Sequence, residues 1–234
     1  MSGSLLAVKN WLTGLLVVAV VAALLATPAA PAPAAVGASD EVGLFDPATG
    51  RWHLRYPDGR ITSFYFGVPG DTPLLGDWDC DGIDTVALYR ESTGLVYLRD
   101  SNDFGVGEVS FYFGIPGDVP IAGDWDGDGC DTLGIFRSGR FFLGNSLATS
   151  VADIDFFFGV PGDQPFAGDF NGDGRDTVGL YRDDTVFITQ DVSGLPASGG
   201  IAPVSGTFAT TGNTVLAGDW DGDGDDTLGT RWPV

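Results

Sequence analysis

The amino-acid sequence predicts an all-β protein assembled from repeated sheets. Three observations carry that expectation. An Asp-rich phrase recurs four times, short alternating apolar runs lie between the copies, and the two termini resemble complementary parts of one repeat. The phrase begins at Asp77, Asp124, Asp169 and Asp219, giving spacings of 47, 45 and 50 residues. A unit of that length with about four strands has the size of a β-propeller blade. The expected architecture is a small β-propeller of about four four-stranded blades, closed by pairing of N- and C-terminal strands. A fifth, incomplete blade and an open repeat stack are the rival arrangements.

The chain divides into residues 1–39 and a repeat domain, residues 40–234. Lys9, the only Lys, precedes the apolar run "WLTGLLVVAVVAALLA", Trp11–Ala26, and an Ala/Pro-rich stretch follows. This order fits a secretory signal peptide cleaved between Ala29 and Ser39. The rival is an uncleaved membrane anchor, for which the apolar core falls short of the roughly 20 residues that a spanning helix needs. A cleaved leader implies a secreted or cell-surface protein with no stable membrane insertion.

From Asp40 onward the chain carries all 32 acidic residues, and the net charge is −21. Nucleic-acid binding is excluded as an expectation, because phosphate contacts need clustered Lys and Arg. The segments "GLFDPATGRWHLRY" and "ITSFYFG" resemble the later strands of a blade. Then "FYFGVPGDTPLLGDW", "FYFGIPGDVPIAGDW" and "FFFGVPGDQPFAGDF" precede three Asp loops, and "GTFATTGNTVLAGDW" precedes the fourth. Runs such as "TVALYR", "TLGIFR" and "TVGLYR" follow the loops; alternation bounded by Gly, Pro and Asp reads as strand. One such sheet cannot bury both faces, so its stability has to come from neighbouring blades. The segments Asp40–Phe45 and Asp226–Arg231 both read as the same strand of a blade, which is what admits a fifth blade.

Numbering each loop from its first Asp places acidic or amide oxygens at positions 1, 3, 5 and 8. These are Asp77, Asp79, Asp81 and Asp84; Asp124, Asp126, Asp128 and Asp131; Asp169, Asn171, Asp173 and Asp176; and Asp219, Asp221, Asp223 and Asp226. Fifteen carboxylates in four tight turns repel one another unless a cation sits among them. Alternating oxygens around a Gly-permitted reversal suit Ca²⁺, which takes six to eight oxygens at flexible angles. About four Ca²⁺ sites are expected, structural in role more than sensory. An ordinary acidic turn is the alternative for any one loop.

The repeat resembles the FG-GAP/VCBS class of calcium-binding β-propeller repeats, with integrin-α-like Asp-rich loops. The resemblance rests on "FG" at Phe66–Gly67, Phe113–Gly114 and Phe158–Gly159 and on "DWDGDG" or "DFNGDG". It implies a loop joining the first two strands of each blade, with ligands at positions 1, 3 and 5, a main-chain oxygen at 7 and an Asp at 9. Position 9 is instead Thr85, Thr132, Thr177 or Thr227. The fifth ligand is expected to be Asp at position 8, with the Thr hydroxyl as its rival.

Trp78, Trp125, Phe170 and Trp220, at position 2, are expected to anchor each loop inward, since alternation aims them away from the ligand oxygens; sugar stacking is the alternative. The "FYF" and "FFF" triplets are expected to be core with one exposed ring each. Arg90, Arg137 and Arg182 are expected to pair with Asp71, Asp118 and Asp163. Cys80 and Cys130 are a candidate disulfide in an exported protein, although their positions, 4 and 7, are not equivalent. Cys80 also replaces the Gly of the other loops, which marks the first site as the least regular.

No catalytic set emerges, and the expectation is that the protein is not an enzyme. His53 is the only His, and Glu41, Glu91 and Glu108, the only Glu, lie in no motif. The reading is a secreted calcium-binding repeat protein serving as a binding, adhesion or structural module toward protein or carbohydrate. The alternatives are a carboxylate-dependent glycoside hydrolase using Asp71, Asp118 or Asp163, and a membrane-anchored envelope protein.

Overall fold

The computed structural model describes residues 4–10, 38–56, 58–192, 204–208 and 214–231. The described residues form an all-β propeller of four four-stranded antiparallel sheets plus an extra two-stranded sheet. The first sheet holds β1 (Ser4–Asn10), β2 (Ala38–Asp46), β3 (Arg51–Arg55) and β4 (Ile61–Tyr65). The second holds β5 (Asp71–Gly76), β6 (Thr85–Arg90), β7 (Leu95–Leu98) and β8 (Val109–Tyr112). The third runs β9 (Val119–Gly123), β10 (Thr132–Arg137), β11 (Arg140–Leu143) and β12 (Ile154–Phe157). The fourth runs β13 (Gln164–Gly168), β14 (Thr177–Arg182), β15 (Thr185–Ile188) and β16 (Val204–Thr207). β17 (Thr214–Gly218) and β18 (Thr227–Arg231) make the extra sheet. Each sheet is a meander in which consecutive strands pair.

β1, β5, β9, β13 and β17 lie side by side in that order, and β17 returns to β1. N- and C-terminal strands therefore meet, but each stays in its own sheet and no ladder joins them among the described residues. The duplication read at Asp40–Phe45 and Asp226–Arg231 has the same resolution. Both are second strands, β2 and β18, of separate sheets, and the two-stranded sheet takes the place of an incomplete fifth blade.

The segment expected as a leader supplies β1, which pairs with β2 from Ser4↔Phe45 to Asn10↔Ala38. The apolar run and residues 29–37 of the expected cleavage region lie outside the described residues. Cleavage there would remove β1 from its sheet. Among the described residues, no helix is long and apolar enough to cross a membrane.

The core sits between blades. Trp52, Leu54, Phe64 and Phe66 of the first sheet pack with Val86 and Leu88 of the second. Leu74, Tyr89, Leu98 and Phe113 of the second pack with Leu133 and Ile135 of the third. Phe141, Phe156 and Phe158 of the third pack with Val178 and Leu180 of the fourth. The second strands are thus covered on both faces, and Thr85–Tyr89 and Thr132–Phe136 are buried without a break. The "FG" dipeptide follows from this packing. Phe66 is buried, and Gly67 turns at φ +111°, where a Cβ would lie 2.7 Å from Leu88 Cδ1 of the next blade. The middle ring of each triplet faces solvent: Tyr65, Tyr112 and Phe157 are exposed, as expected.

Candidate metal centre

Each Asp loop connects the first strand of a blade to its second, and the backbone bends at two positions of left-handed conformation. Position 4 has φ of +64° at Cys80, +74° at Gly127, +67° at Gly172 and +78° at Gly222, and position 6 is Gly in all four loops. Cys80 adopts the conformation of the Gly that it replaces, so the first loop keeps the regular path.

Carboxylate–amide contacts hold the loop from within. Asp77 accepts from Asp81 N at 3.0 Å and Gly82 N at 2.8 Å. Asp124 accepts from Gly127 N, Asp128 N and Gly129 N, and Asp219 from Gly222 N, Asp223 N and Gly224 N. Position 5 accepts from the N–H of position 7, as Asp128 does from Cys130 at 3.0 Å. These donors offset part of the repulsion but not all of it. Burial, and then Asp81 and Asp79, push the Asp77 carboxyl up against the amides that lower it. Burial, Asp128 and Asp124 push Asp126 up, with Arg175 acting in the opposite direction.

The structure brings positions 1, 3 and 5 together. Asp77, Asp79 and Asp81 each offer one carboxylate oxygen, all within 4.8 Å of one another; so do Asp124, Asp126 and Asp128, and Asp219, Asp221 and Asp223. These three triads could hold metal ions, and a donor set of closely spaced anionic oxygens fits a hard divalent cation. In the third loop, Asn171 Nδ2 donates to Asp173 Oδ2 at 3.1 Å, so its position 3 contributes an amide and one negative charge fewer.

Position 8 makes a contact beyond its own loop. The Asp131 carboxylate accepts from Asp77 N at 2.9 Å, Asp176 from Asp124 N at 2.9 Å, and Asp226 from Asp169 N at 2.9 Å. Through one carboxylate oxygen these side chains reach across the blade boundary to the preceding loop, a contact that the reading of each loop by itself did not include. The residue before each loop makes room for this: a Cβ at Gly76 would lie 2.9 Å from Asp131 Oδ2, and one at Gly123 2.6 Å from Asp176 Oδ2. Asp84, the first copy, is buried. Two of the rival Thr hydroxyls, those of Thr132 and Thr177, donate at 3.4 Å to the carbonyls of Gly123 and Gly168.

Trp78 and Trp125 are buried as loop anchors, and the indole N–H of Trp78 donates to Thr85 O at 2.9 Å. Trp220 makes the same bond to Thr227 O at 3.0 Å, and Phe170 meets Phe166 edge-on at 5.8 Å. A disulfide joins Cys80 and Cys130, whose Cα atoms are 4.7 Å apart. The candidate pairing therefore forms although the two positions are not equivalent, because adjacent loops meet head to tail and unlike positions face each other. The clasp of position 8 on the preceding loop has no counterpart in the sequence expectations.

The expected ion pairs form at the opposite end of the blades. Arg90 grips Asp71 at 2.8 and 2.9 Å, Arg137 grips Asp118 at 2.6 and 2.7 Å, and Arg182 grips Asp163 at 2.5 and 2.6 Å. Each Asp also accepts a turn N–H, from Val68, Ile115 or Val160. The hydrogen bond to its Asp raises each Arg above its ordinary range. His53 pairs with Ser63 Oγ at 2.7 Å. Arg99, unremarked in the sequence, is buried and pairs with Asp103 and with Glu108.

No known family model matches this chain, and no curated protein matches it in sequence. Among solved structures, it is similar to selenomethionine-substituted virginiamycin B lyase from Staphylococcus aureus, with 11% identity and a TM-score of 0.44. The match covers 83% of this chain and 66% of that one, just under two thirds of its length. What the structure itself shows is a β-propeller with clusters of Asp side chains in its loops.

Proposed function

We propose that this protein is a secreted, calcium-stabilised repeat propeller that acts as a binding, adhesion or structural module toward protein or carbohydrate. The observation that carries the reading is the convergence of positions 1, 3 and 5 in three loops, with oxygens within 4.8 Å of one another. Residues 77, 79 and 81, 124, 126 and 128, and 219, 221 and 223 would hold the ions; Asp169, Asn171 and Asp173 repeat the pattern with an amide. Bound Ca²⁺ supplies positive charge where carboxylates crowd, and so locks the loop between the first and second strands of each blade. Extracellular calcium is concentrated enough for sites with dissociation constants of about 10⁻⁴–10⁻³ M.

Export is supported by the charged and apolar N-terminal pattern and by a disulfide, which persists in oxidising compartments. A non-enzymatic role is supported by Asp71, Asp118 and Asp163, whose carboxylates are buried and committed to Arg. The test is thermal melting in chelator and in excess Ca²⁺, with native mass spectrometry to count the ions. A higher melting temperature with bound ions is expected; no shift and no bound metal would refute the reading. N-terminal sequencing of exported material tests the leader, and an array of glycans and proteins probed with the calcium-loaded chain identifies the partner.

A further inference from the structure

Adjacent loops touch through unlike positions, with position 7 of one loop lying against position 4 of the loop before it. At the first boundary this meeting is the Cys130–Cys80 disulfide. At the second, Arg175 lies on Gly127, where a Cβ would come within 2.8 Å of Arg175 Cγ and 2.9 Å of its Nε. At the third, Asp225 lies on Gly172, where a Cβ would collide with the Asp225 carboxylate. One structural contact thus carries a neutral covalent link, a cation and an anion in turn.

The charges fall beside loops that differ in the opposite sense. The second loop has carboxylates at positions 1, 3 and 5, and the Arg175 side chain lies over its position 4, Gly127. The third loop has Asn171 at position 3, one charge short, and receives Asp225. Oxygen-ligated cation sites are tuned by the charge around them, and charges a few ångströms apart interact before salt screens them.

We propose that the residue at position 7 sets the cation affinity of the preceding loop. Arg175 is a built-in counter-charge that opposes a divalent ion at Asp124, Asp126 and Asp128. Asp225 returns to the third loop the negative charge that Asn171 lacks. The inference rests on the metal-binding reading of the loops. It adds that the four sites are unequal and that Arg175 exchanges roles with the ion. Without metal, Arg175 relieves repulsion among the second loop's carboxylates; with metal bound, it competes.

The experiment uses the full chain and Ca²⁺, following stepwise loading by native mass spectrometry and calorimetric titration. Arg175→Gln is expected to tighten one loading step about two- to five-fold, the scale of an exposed charge pair, and Asp225→Asn to weaken one step similarly. Adding Asp126→Asn to Arg175→Gln should abolish the gain, which assigns that step to the second loop. Melting supplies a second readout: Arg175→Gln should melt below wild type in chelator, and at or above it in excess Ca²⁺. Unchanged loading constants in variants of a chain that binds Ca²⁺ overturn the inference alone. A melting change of one sign in both conditions makes Arg175 merely structural and overturns its part. A wild-type chain that binds no Ca²⁺ overturns the metal reading as well.

Discussion

The Asp131 carboxylate accepts the backbone N–H of Asp77 at 2.9 Å, and the Asp131 N–H donates back to the Asp77 carbonyl at 2.8 Å. The same two-way clasp joins Asp176 to Asp124 and Asp226 to Asp169. Blades thereby meet through polar bonds at the loop end as well as through apolar packing. Asp176→Ala removes one acceptor and strands the Asp124 N–H. The expected loss is about 1 kcal/mol, the lower end of the cost of an unsatisfied donor because the Asp124 N–H is only part-buried, read by denaturant unfolding. In the three loops whose oxygens converge, the converging positions are 1, 3 and 5, so the number of Ca²⁺ ions bound is expected not to change. Loss of an ion in Asp176→Ala would identify position 8 as a ligand.

Asp118 and Arg137 form the analogous fixed point at the other end of the blade. The Asp118 side chain is 1% exposed and that of Arg137 35%. Asp118→Asn leaves a guanidinium facing a neutral amide. Removing one partner of a buried pair costs about 3–5 kcal/mol, and the partial exposure of Arg137 reduces this to about 2–3 kcal/mol. The contrast is Asp58, 3.8 Å from Arg60 on the open surface, where Asp58→Asn should cost less than about 0.5 kcal/mol. Equal losses in urea unfolding would contradict the burial argument.

These two clasps show what was legible in the sequence. The Arg–Asp pairs recur at a fixed offset within a single blade, so the repeat alone exposes them. The converging positions 1, 3 and 5 are legible for the same reason, since a tight turn defines its own geometry. Contacts between blades are not local. The role of Asp131 depends on the loop 54 residues before it, and the only local trace is the Gly that precedes each loop. "SLLAVKN", which becomes β1, reads as the start of a leader because its strand character comes from pairing with β2.

The Cys80–Cys130 disulfide closes a separation of 50 residues between two neighbouring loops. Chain-entropy arguments put such a link at about 4 kcal/mol at most. Cys80→Ser with Cys130→Ser should lower stability by up to that amount. Cys80→Gly with Cys130→Ser should recover about 1 kcal/mol of the loss, because Cys80 sits at φ +64° where Gly is unstrained. Comparing the two double variants in guanidinium separates backbone strain from the cross-link itself; identical midpoints would count against the strain.

Tyr89 gives the chain an alkaline limit that is specific to one residue. Burial pushes its phenol up to about 12 from an ordinary 10.0, Asp118 adds to the rise, and Arg137 opposes it. The hydroxyl donates to Ile115 O at 3.3 Å, between the second and third blades. Above pH 10 the unfolded chain releases this proton while the folded chain retains it, so the folded state binds more protons and stability falls as pH rises. The loss should reach about 1–2 kcal/mol by pH 12 and be absent below pH 10. Tyr89→Phe should be about 1 kcal/mol less stable than wild type at neutral pH through the missing hydrogen bond. That gap should close or reverse as the pH approaches 12. Urea unfolding of both proteins at stepped pH measures the difference directly, and a gap independent of pH would show that the Tyr89 proton is released equally from both states.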